Sequence, residues 1–561
     1  MESTAPPAAV ARPKTAGWSS AKRLRAALAD SSWDARWTVL AVLAFIGVAI
    51  WWVTQDTRVA DFYSAIQTRF AFITHDAIAR GALASPFTEF GNYHYPPLGR
   101  LIGALGTFVG GVNIKAVMLA LDVVFVPALA AGCYGVGRRV AGPRAGLLAA
   151  LFALGAPMIV SESHEVYLDP LQASMIALSV LALIASERFE RVGVAVLAGI
   201  ATGLAFLTKE TTPIFLGGLI AVVLLRGGWR NWRGLSAWAA AVIVTAAPWY
   251  LYHFGRLKQL TGQVNSPPPH PIAESVPAHA SVENATWYFW DAANIQLRAA
   301  FLALLIVGTI AAVRSTIRDR RPDNIYPELL GGALVSYVGM TLIAIKDPRY
   351  DLPALVYMAV LATAWIPGLK GVLRPALTAV LLGAVAASVA SVAFGLGGRD
   401  YTLRASLPGA YPEKTNAERF ITFYATTGWL AGPPESGDGN ILALMRGLRH
   451  HGVRGFAACC AKEARPEGAV EGGANRVDFN VSGLVVMGRE AGLHYVEQQS
   501  ELGPRDVFLM AHAPIPGAPP CQRLRDGTGI YAVLGSPIGR SVSQYTFICP
   551  GRTPAIYSAR L

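Results

Sequence analysis

Four short polar motifs interrupt an otherwise apolar chain of 561 residues. They are Tyr95-Pro96-Pro97-Leu98, the segment from His164-Glu165 to Asp169-Pro170, Thr208-Lys209-Glu210, and Lys346-Asp347-Pro348-Arg349-Tyr350. Their carboxylates are suited to general-base catalysis, and their lysines and arginine are suited to binding phosphate. Each motif falls at an end of an apolar segment. A helical bundle that places these ends on one side would therefore collect the acids and cations in one site.

The segment that follows the first apolar stretch carries three aspartates that are candidates for the general base. Asp61 lies at the start of an amphipathic stretch, whereas Asp76 is nearer in sequence to the Tyr95 motif. An aspartate at the edge of a membrane helix is more often a helix cap or a solvated group than a catalyst. The residues alone do not choose between Asp61 and Asp76, and Asp56 ranks third.

Lysines and an arginine in the same polar motifs are candidates for binding a phosphate group. Lys209 ends an apolar segment beside Glu210, where a local ion pair is the competing interpretation. Lys346 and Arg349 lie in one of the connections between apolar segments that otherwise contain few cations. They would clamp an anionic phosphate there, and Tyr350 would hydrogen-bond the same phosphate. Further substrate-binding candidates in these motifs are His94, Tyr95, Arg100, His164, Glu165 and Asp169.

Three of these residues, His164, Glu165 and Asp169, are also of types that bind metal ions. Their spacing matches no specific metal-site pattern. We therefore leave a divalent metal open, predict no certain cofactor, and favour a structural or substrate-orienting role for Asp169.

The elements that must position these residues are apolar runs long enough to cross a bilayer. Hydrophobic residues make up 53% of the chain and charged residues only 15%, and runs of about 17–22 residues suffice for a hydrocarbon core of about 30 Å. We predict eleven spans, near 37–53, 115–136, 144–160, 170–186, 192–207, 212–226, 235–253, 297–313, 328–345, 351–368 and 372–395.

The cations predict the orientation of these spans. The net charge is +12, and the arginines cluster in short loops between runs, which favours membrane topology over nucleic-acid binding as their explanation. Residues 1–36 then form a cytoplasmic tail before an uncleaved anchor, and the motifs and residues 396–561 lie outside. The apolar segment 97–112 is short and rich in glycine, so we predict that it does not cross.

Two regions outside the spans have their own patterns. In the first external loop, 54–114, apolar residues recur at helical spacing, which predicts a helix at the membrane surface, and Trp287, Tyr288 and Trp290 are typical of an interfacial aromatic belt. After about 396 the composition becomes more polar. The short apolar runs 483–487 and 529–534 there indicate strands of a small α+β domain.

In this arrangement the chain resembles the GT-C glycosyltransferases of the protein O-mannosyltransferase and aminoarabinose-transferase type. The matching motifs, in chain order, are Tyr95-Pro96-Pro97-Leu98-Gly99-Arg100, Asp169-Pro170-Leu171, Leu207-Thr208-Lys209 and Arg349-Tyr350-Asp351-Leu352-Pro353. The resemblance covers roughly residues 37–395. The family commonly has an Asp-Glu pair in the first loop, and this chain has none in 54–96, so the choice between Asp61 and Asp76 stays open.

The resemblance implies an all-α polytopic membrane fold and an inverting glycosyltransferase. The enzyme would move a hexose or pentose from a polyprenyl-phosphate carrier to an extracytoplasmic glycan, lipid or protein at the cell membrane. A first-loop aspartate would activate the acceptor, and Lys209, Lys346 or Arg349 would hold the donor phosphate.

Two other function classes compete with this interpretation. A lipid or sugar transporter or flippase would place ionisable groups near the membrane midplane within two related halves. Here Asp122 is the clear intramembrane acid, and no mirrored halves stand out. A non-catalytic scaffold that binds an envelope glycan is the third class, because the chain lacks the Asp-Glu pair.

Overall fold

The computed structural model describes residues 33–58, 60–88, 95–255, 280–319, 321, 323–397, 399–404, 420–425, 430, 432–434, 441–450, 452–459, 481–496, 506–512, 529–534, 544–547 and 555–558. His94 lies outside these residues. The helices are α1 (Trp33–Gln55), α2 (Phe62–Ala79), α3 (Ser85–Thr88), α4 (Leu98–Gly110), α5 (Ile114–Ala141), α6 (Pro143–Gly155), α7 (Pro157–Glu162), α8 (Asp169–Ala185), α9 (Val192–Phe206), α10 (Thr212–Leu225), α11 (Trp232–Tyr252), α12 (Val282–Asp291), α13 (Arg298–Arg318), α14 (Tyr326–Leu342), α15 (Leu355–Thr363), α16 (Leu373–Val392), α17 (Ile441–His450) and α18 (Val481–Glu490).

Among the described helices, five are long and apolar enough to cross a membrane, namely α1, α5, α11, α13 and α16. Other apolar helices match predicted spans but have only 13 to 17 residues. The chain is therefore a mostly helical, multi-pass membrane protein, and the number of eleven spans stays a prediction. Helix α4 has 13 residues and is about 20 Å long, shorter than a hydrocarbon core of about 30 Å.

Helix starts follow from capping residues and prolines at segment ends. Asn113 caps α5, where its Oδ1 accepts a hydrogen bond from the backbone N–H of Ala116 at 2.8 Å. Pro170 occupies the first turn of α8, where a residue without an N–H costs no hydrogen bond. Small residues then let the helices approach closely, since a methyl group at Gly132 of α5 would lie 2.5 Å from the Ala177 side chain of α8.

Ion pairs join three helices at the end of the bundle away from the four motifs. Arg226, after α10, lies 2.6 Å from Glu328 near the start of α14, and Arg188, after α8, lies 3.7 Å from the same carboxylate. These arginines belong to the loops that the sequence assigns to the cytoplasmic side. The motifs and the arginine-rich loops thus occupy opposite ends of the helices.

The prediction of an aromatic belt at residues 287–290 is wrong. Trp287, Tyr288 and Trp290 are 2%, 1% and 3% exposed, because α12 packs inside the protein. The helix continues into a π-helical turn, Ala292–Gln296. Arg298 follows with φ 63°, a strained conformation for a residue with a side chain.

Strands occur in the C-terminal part of the chain. They are β1 (Tyr401–Arg404), β2 (Phe420–Tyr424), β3 (Gly455–Cys459), β4 (His494–Tyr495), β5 (Asp506–His512), β6 (Gly529–Leu534), β7 (Gln544–Phe547) and β8 (Ala555–Ser558). Strands β1 and β2 form an antiparallel pair, and the others form a sheet of order β4-β3-β5-β6-β7-β8. In it β3 runs parallel to β4 and β5, and the remaining pairs are antiparallel.

The segment 529–534 forms β6, as predicted, but the predicted strand 483–487 is wrong. It lies within α18. Leu484 and Met487, three residues apart, share one helix face and pack with Phe456 of β3 in a second core. The short apolar run was ambiguous between helix and strand, and this core selected the helix.

Candidate active site

Asp61 begins α2, and its carboxylate is buried at 4% exposure. Its Oδ1 accepts hydrogen bonds from the N–H of Tyr63 at 2.8 Å, the N–H of Ser64 at 3.2 Å and the hydroxyl of Tyr167 at 3.0 Å. Its Oδ2 is buried and accepts no hydrogen bond from the residues that the structure describes. Asp61 therefore caps a helix with one oxygen, and its other oxygen can accept from a hydroxyl, including that of a protonated Glu165 beside it.

The loop between α7 and α8 packs on the start of α2. The Ser64 hydroxyl donates to Glu165 Oε2 at 3.0 Å and accepts from the N–H of Val166 at 2.9 Å. Burial, and then the neighbouring Asp61 carboxylate, raises the pKa of Glu165 well above its ordinary value. The environment of Glu165 therefore favours its protonated form.

Hydrogen bonds and two aromatic rings hold the side chain of Arg349 in place. It donates to both carboxylate oxygens of Asp347, at 2.9 and 2.7 Å. Its guanidinium carbon lies 4.2 Å from the ring centre of Tyr167 and 4.9 Å from that of Tyr63. Burial opposes both charges, but the pair outweighs it, raising the pKa of Arg349 and lowering that of Asp347. Arg349 is therefore a fixed cation next to the Tyr167 that holds Asp61.

Glu162 shows that the motifs converge. It is buried, and burial raises the pKa of its carboxyl well above the ordinary value. The charges that act on it are those of Arg349, Asp169, Asp347 and Asp61. Charged residues from three distant parts of the sequence therefore act on the pKa of one side chain.

Lys209 and Asp169 form a buried ion pair at the other side of this cluster. Lys209 Nζ lies 2.7 Å from Asp169 Oδ1. The ammonium also lies 4.8 Å from the ring centre of Tyr350 and 5.8 Å from that of Tyr95. All four polar motifs thus contribute to one site.

A backbone hydrogen bond joins two of the motifs directly. The N–H of Leu98 donates to the carbonyl of Leu207 at 2.8 Å. At the next residue, Gly99, an added methyl group would meet the end of the Leu168 side chain, which would have to move aside. The start of α4 therefore packs on the loop that carries Tyr167.

Asp76, the second candidate base, lies elsewhere. It is at the far end of α2, where its Oδ2 lies 2.5 Å from Arg489 of α18, and its side chain is 38% exposed. The structure therefore separates Asp61, inside the cluster, from Asp76, in a partly exposed ion pair. Asp56 pairs with Arg58 at 2.6 Å.

Two predicted substrate-binding cations contact backbone carbonyls instead of facing the cluster. The Lys346 ammonium donates to the carbonyls of Met340, Thr341 and Ile343 at 2.8, 2.7 and 2.5 Å. These three bonds use all of its hydrogens and cap the end of α14. Arg100 is buried and donates to the carbonyl of Pro86, and burial lowers its pKa to about 9.

The imidazole of His164 is buried and stacks on Trp52, with ring centres 4.1 Å apart. Burial, and then the charge of Arg58, lowers its pKa well below the ordinary value, so it is neutral. His164, Glu165 and Asp169 diverge toward Trp52, Asp61 and Lys209 respectively. Among the described residues, no group of three or more histidines, cysteines or acids is arranged to hold a metal ion.

Sequence reasoning missed several residues of the cluster. Tyr167 and Ser64 donate hydrogen bonds to Asp61, the charge of Asp61 acts on Glu162, and Asp347 holds Arg349. Tyr167 lies between Glu165 and Asp169, and Asp347 lies between Lys346 and Arg349, so proximity in sequence to charged candidates was the signal available.

Residues 94–252 match the protein family described as dolichyl-phosphate-mannose-protein mannosyltransferase. The undecaprenyl phosphate-alpha-4-amino-4-deoxy-L-arabinose arabinosyl transferase of Pseudomonas aeruginosa (strain UCBPP-PA14) is 31% identical over 194 residues, which are 33% of this chain and 35% of that protein. The protein of the same name from Edwardsiella ictaluri is 23% identical over 328 residues, 54% and 55% of the two chains. The chain thus matches about a third to a half of the length of these relatives.

Solved structures show a weaker likeness. ArnT from Cupriavidus metallidurans, bound to undecaprenyl phosphate, aligns with a TM-score of 0.47 and 20% identity, over 62% of this chain and 64% of that one. The apo oligosaccharyltransferase of Archaeoglobus fulgidus aligns with a TM-score of 0.47 and 12% identity, over 85% and 66%.

Proposed function

We propose that this chain, a member of the GT-C glycosyltransferase superfamily by its family match and curated relatives, transfers a sugar from a polyprenyl-phosphate donor to an acceptor outside the cytoplasm. The transfer inverts the anomeric centre, and Asp61 is the general base. The description of the matching family and the name of the curated relatives both contain a polyprenyl phosphate, but the first names mannose and the second an aminoarabinose. A hexose and a pentose are therefore both candidate sugars.

The observation that carries this proposal is the state of the Asp61 carboxylate. One oxygen is held by three donors, and the other is buried and accepts none from the described residues. A general base needs a fixed position and an unoccupied lone pair within hydrogen-bond reach of its substrate. In the described part of the chain, Asp61 combines both, whereas Asp76 is paired with Arg489.

The cations of the cluster suit the departing phosphate. Lys209 and Arg349 are each paired with one carboxylate, Asp169 and Asp347. A phosphate carries enough negative charge to share such cations, and a cation that faces the leaving oxygen stabilises the charge that develops there. We assign donor-phosphate binding to Lys209 first and Arg349 second.

The proposed transfer of the sugar needs no oxidant or reductant. The acceptor hydroxyl gives its proton to Asp61 Oδ2 as its oxygen attacks the anomeric carbon. The bond between that carbon and the phosphate oxygen breaks, and polyprenyl phosphate leaves with the electron pair. Attack from the face opposite to the phosphate gives inversion, the same logic as in inverting glycosidases.

The experiment that tests this function is transfer from radiolabelled polyprenyl-phosphate sugars into a cell-envelope fraction, with Asp61→Asn and Asp76→Asn in parallel. Asparagine keeps the volume and one acceptor oxygen for the helix cap but removes the basicity. We expect Asp61→Asn to lose at least about 100-fold in rate, as for general-base removal, and Asp76→Asn to stay near wild type. Full activity of Asp61→Asn would refute the assignment, and no transfer by wild type from any such donor would refute the function.

A further inference from the structure

The connection between α10 and α11, residues 226–233, displays two tryptophan–arginine pairs at the end of the bundle away from the four motifs. Trp229 and Trp232 are 60% and 63% exposed. The guanidinium carbon of Arg230 lies 5.4 Å from the ring centre of Trp229, and that of Arg233 lies 5.7 Å from the ring centre of Trp232. We call this segment the tryptophan–arginine loop.

The tryptophan–arginine loop carries positive charge that the rest of the described chain does not neutralise. Its sequence contains three arginines and no acid. Arg226 lies 2.6 Å from Glu328. Arg230 and Arg233 are exposed, and neither forms an ion pair with an acid in the part of the chain that the structure describes. An anion from outside the protein would therefore suit these two guanidinium groups.

A turn with unusual backbone geometry holds the loop from behind. In the connection between α8 and α9, the consecutive residues Glu187, Arg188 and Phe189 have φ of 52°, 57° and 69°, a left-handed conformation that side chains disfavour. The carbonyl of Arg188 accepts a hydrogen bond from Asn231 Nδ2 at 2.8 Å. A methyl group at Gly234 would collide with the carbonyl oxygen of Phe189. The strained turn thus packs closely against the loop and fixes its position.

The lengths of the two flanking helices place the loop at a membrane surface. Helix α10, which matches a predicted span, has 14 residues and is about 21 Å long, shorter than a hydrocarbon core of about 30 Å. A short span draws its flanking residues toward the bilayer, where tryptophan and arginine reach the interface. Helix α11 is a candidate span that begins at Trp232. We therefore expect both pairs to lie among lipid head groups.

The chemistry of the pairs suits a phosphodiester with a net negative charge. A guanidinium donates two parallel hydrogen bonds to phosphate oxygens, and an indole at the interface packs on the adjoining glycerol and acyl carbons. A zwitterionic head group brings its own cation, which two neighbouring arginines repel. An anionic phospholipid therefore fits the loop better than phosphatidylcholine does.

We propose that the tryptophan–arginine loop binds the phosphate of an anionic phospholipid, such as phosphatidylglycerol, in the leaflet at the end of the bundle away from the four motifs. Arg230 and Arg233 hold the phosphate, and Trp229 and Trp232 pack beside it. This site is separate from the proposed sugar transfer. Because Lys209 lies shortly before the start of α10, the bound lipid would fix the depth of the helix that leads away from the candidate active site.

Native mass spectrometry of the full chain in detergent tests this inference by measuring the affinity for added lipids. The probe is phosphatidylglycerol, and the comparison lipid is phosphatidylcholine with the same acyl chains. We expect wild type to bind phosphatidylglycerol about ten-fold more tightly than phosphatidylcholine. The double variant Arg230→Gln/Arg233→Gln should bind phosphatidylglycerol about ten-fold more weakly than wild type, because it lacks both cations of the site.

Matched variants separate this site from a general effect of charge. Arg138→Gln/Arg139→Gln removes the same charge from the last turn of α5, where both arginines are exposed and have no adjacent tryptophan. It should bind phosphatidylglycerol as wild type does. Trp229→Leu/Trp232→Leu keeps every charge and should weaken binding about three-fold, because the stacking that orients the guanidinium groups is lost. Thermal unfolding confirms that each variant is folded.

Equal weakening by the two double arginine variants would overturn this inference, because binding would then follow net charge alone. Equal binding of the two lipids by wild type would also overturn it. So would displacement of phosphatidylglycerol by millimolar inorganic phosphate, since the loop would then be a site for a soluble anion. None of these measurements needs sugar transfer, so the proposed function is tested separately.

Discussion

At the scale of single residues, the most informative contact is the hydroxyl of Tyr167 on Asp61. The same ring also stacks on Arg349. Tyr167 is therefore a positioning residue that connects the proposed base, Asp61, to the cation Arg349. It lies in the loop before α8 and not in α2, so substitutions of Tyr167 separate the orientation of Asp61 from its basicity.

We predict that Tyr167→Phe keeps the fold and the stacking on Arg349 but lowers the rate of transfer. A hydrogen bond to a charged group contributes about 1.5–3 kcal/mol, so we expect a loss of roughly 10- to 100-fold in kcat with little change in KM for the donor. Steady-state transfer assays measure the split. Tyr401→Phe, at a ring 61% exposed, is the matched control, and a Tyr167→Phe rate equal to that of the control would contradict the prediction.

Glu165 predicts a pH dependence of stability. Its pKa is raised in the folded protein, so the folded state binds this proton more tightly than the unfolded chain does. The stability that this proton supplies is present below the ordinary carboxyl pKa of about 4.3 and is lost as pH rises above it.

Glu165→Gln mimics the protonated form at every pH. We therefore expect Glu165→Gln to unfold at a higher temperature than wild type at pH 7, with the difference closing toward pH 4. Thermal unfolding of the two proteins across that range measures it. A gap that widens as the pH falls would show that the sign is wrong.

The sequence predicted the convergence of the four motifs because all of them lie at ends of apolar segments on one side. It left Asp61 and Asp76 equal, because the difference arises from residues about 100 and 400 positions away, Tyr167 and Arg489. It also assigned Lys346 to phosphate. Nothing in the sequence reveals that three carbonyls at the end of α14 surround this ammonium.

At the scale of elements, the ends of helices determine where the charges lie. Lys346 fixes the end of α14 and so the segment that carries Asp347 and Arg349. Asp61 fixes the start of α2 in the same way. Two of the predicted functional residues, Asp61 and Lys346, therefore also act as helix caps. Known capping patterns can predict this role for Asp61. They cannot predict it for Lys346, whose side chain reaches back three to six residues.

We predict that Lys346→Met lowers stability more than it changes donor binding. Losing three hydrogen bonds from a buried ammonium should cost about 2–4 kcal/mol. The KM for the donor should stay within about two-fold, because the proposed phosphate-binding cations Lys209 and Arg349 are untouched. Chemical unfolding and transfer kinetics measure the two effects. The exposed Lys370→Met is the control, and a donor KM raised more than ten-fold with unchanged stability would return Lys346 to the phosphate site.

At the scale of the whole molecule, the C-terminal part is bound to the helical part at several separate points. The indole of Trp52 donates to the carbonyl of Gly432, and Arg298 donates to the carbonyl of Ala425. Arg489 pairs with Asp76 on α2. These contacts connect the C-terminal part to α1, α13 and α2. The limits of the domain at 396–561 stay a prediction.

An odd number of membrane crossings predicts opposite locations for the two ends of the chain. In a variant whose cysteines outside the spans are replaced by serine, we expect His450→Cys to react with a membrane-impermeant maleimide in intact cells. Ser20→Cys should react only after the membrane is permeabilised. Gel-shift detection of the label measures both. Labelling of Ser20→Cys in intact cells would mean an even number of crossings or the reverse orientation.

The hydrogen bond from Leu98 to Leu207 has a consequence for how this protein can change over evolution. Pro96 and Pro97 have no N–H, so Leu98 is the first residue after Tyr95 able to donate to the neighbouring segment. Because the bond is made by main-chain atoms, no side-chain replacement at 98 or 207 other than proline at 98 removes it. The contact between the two motifs therefore depends on the path of the main chain there and not on which side chains stand at 98 and 207.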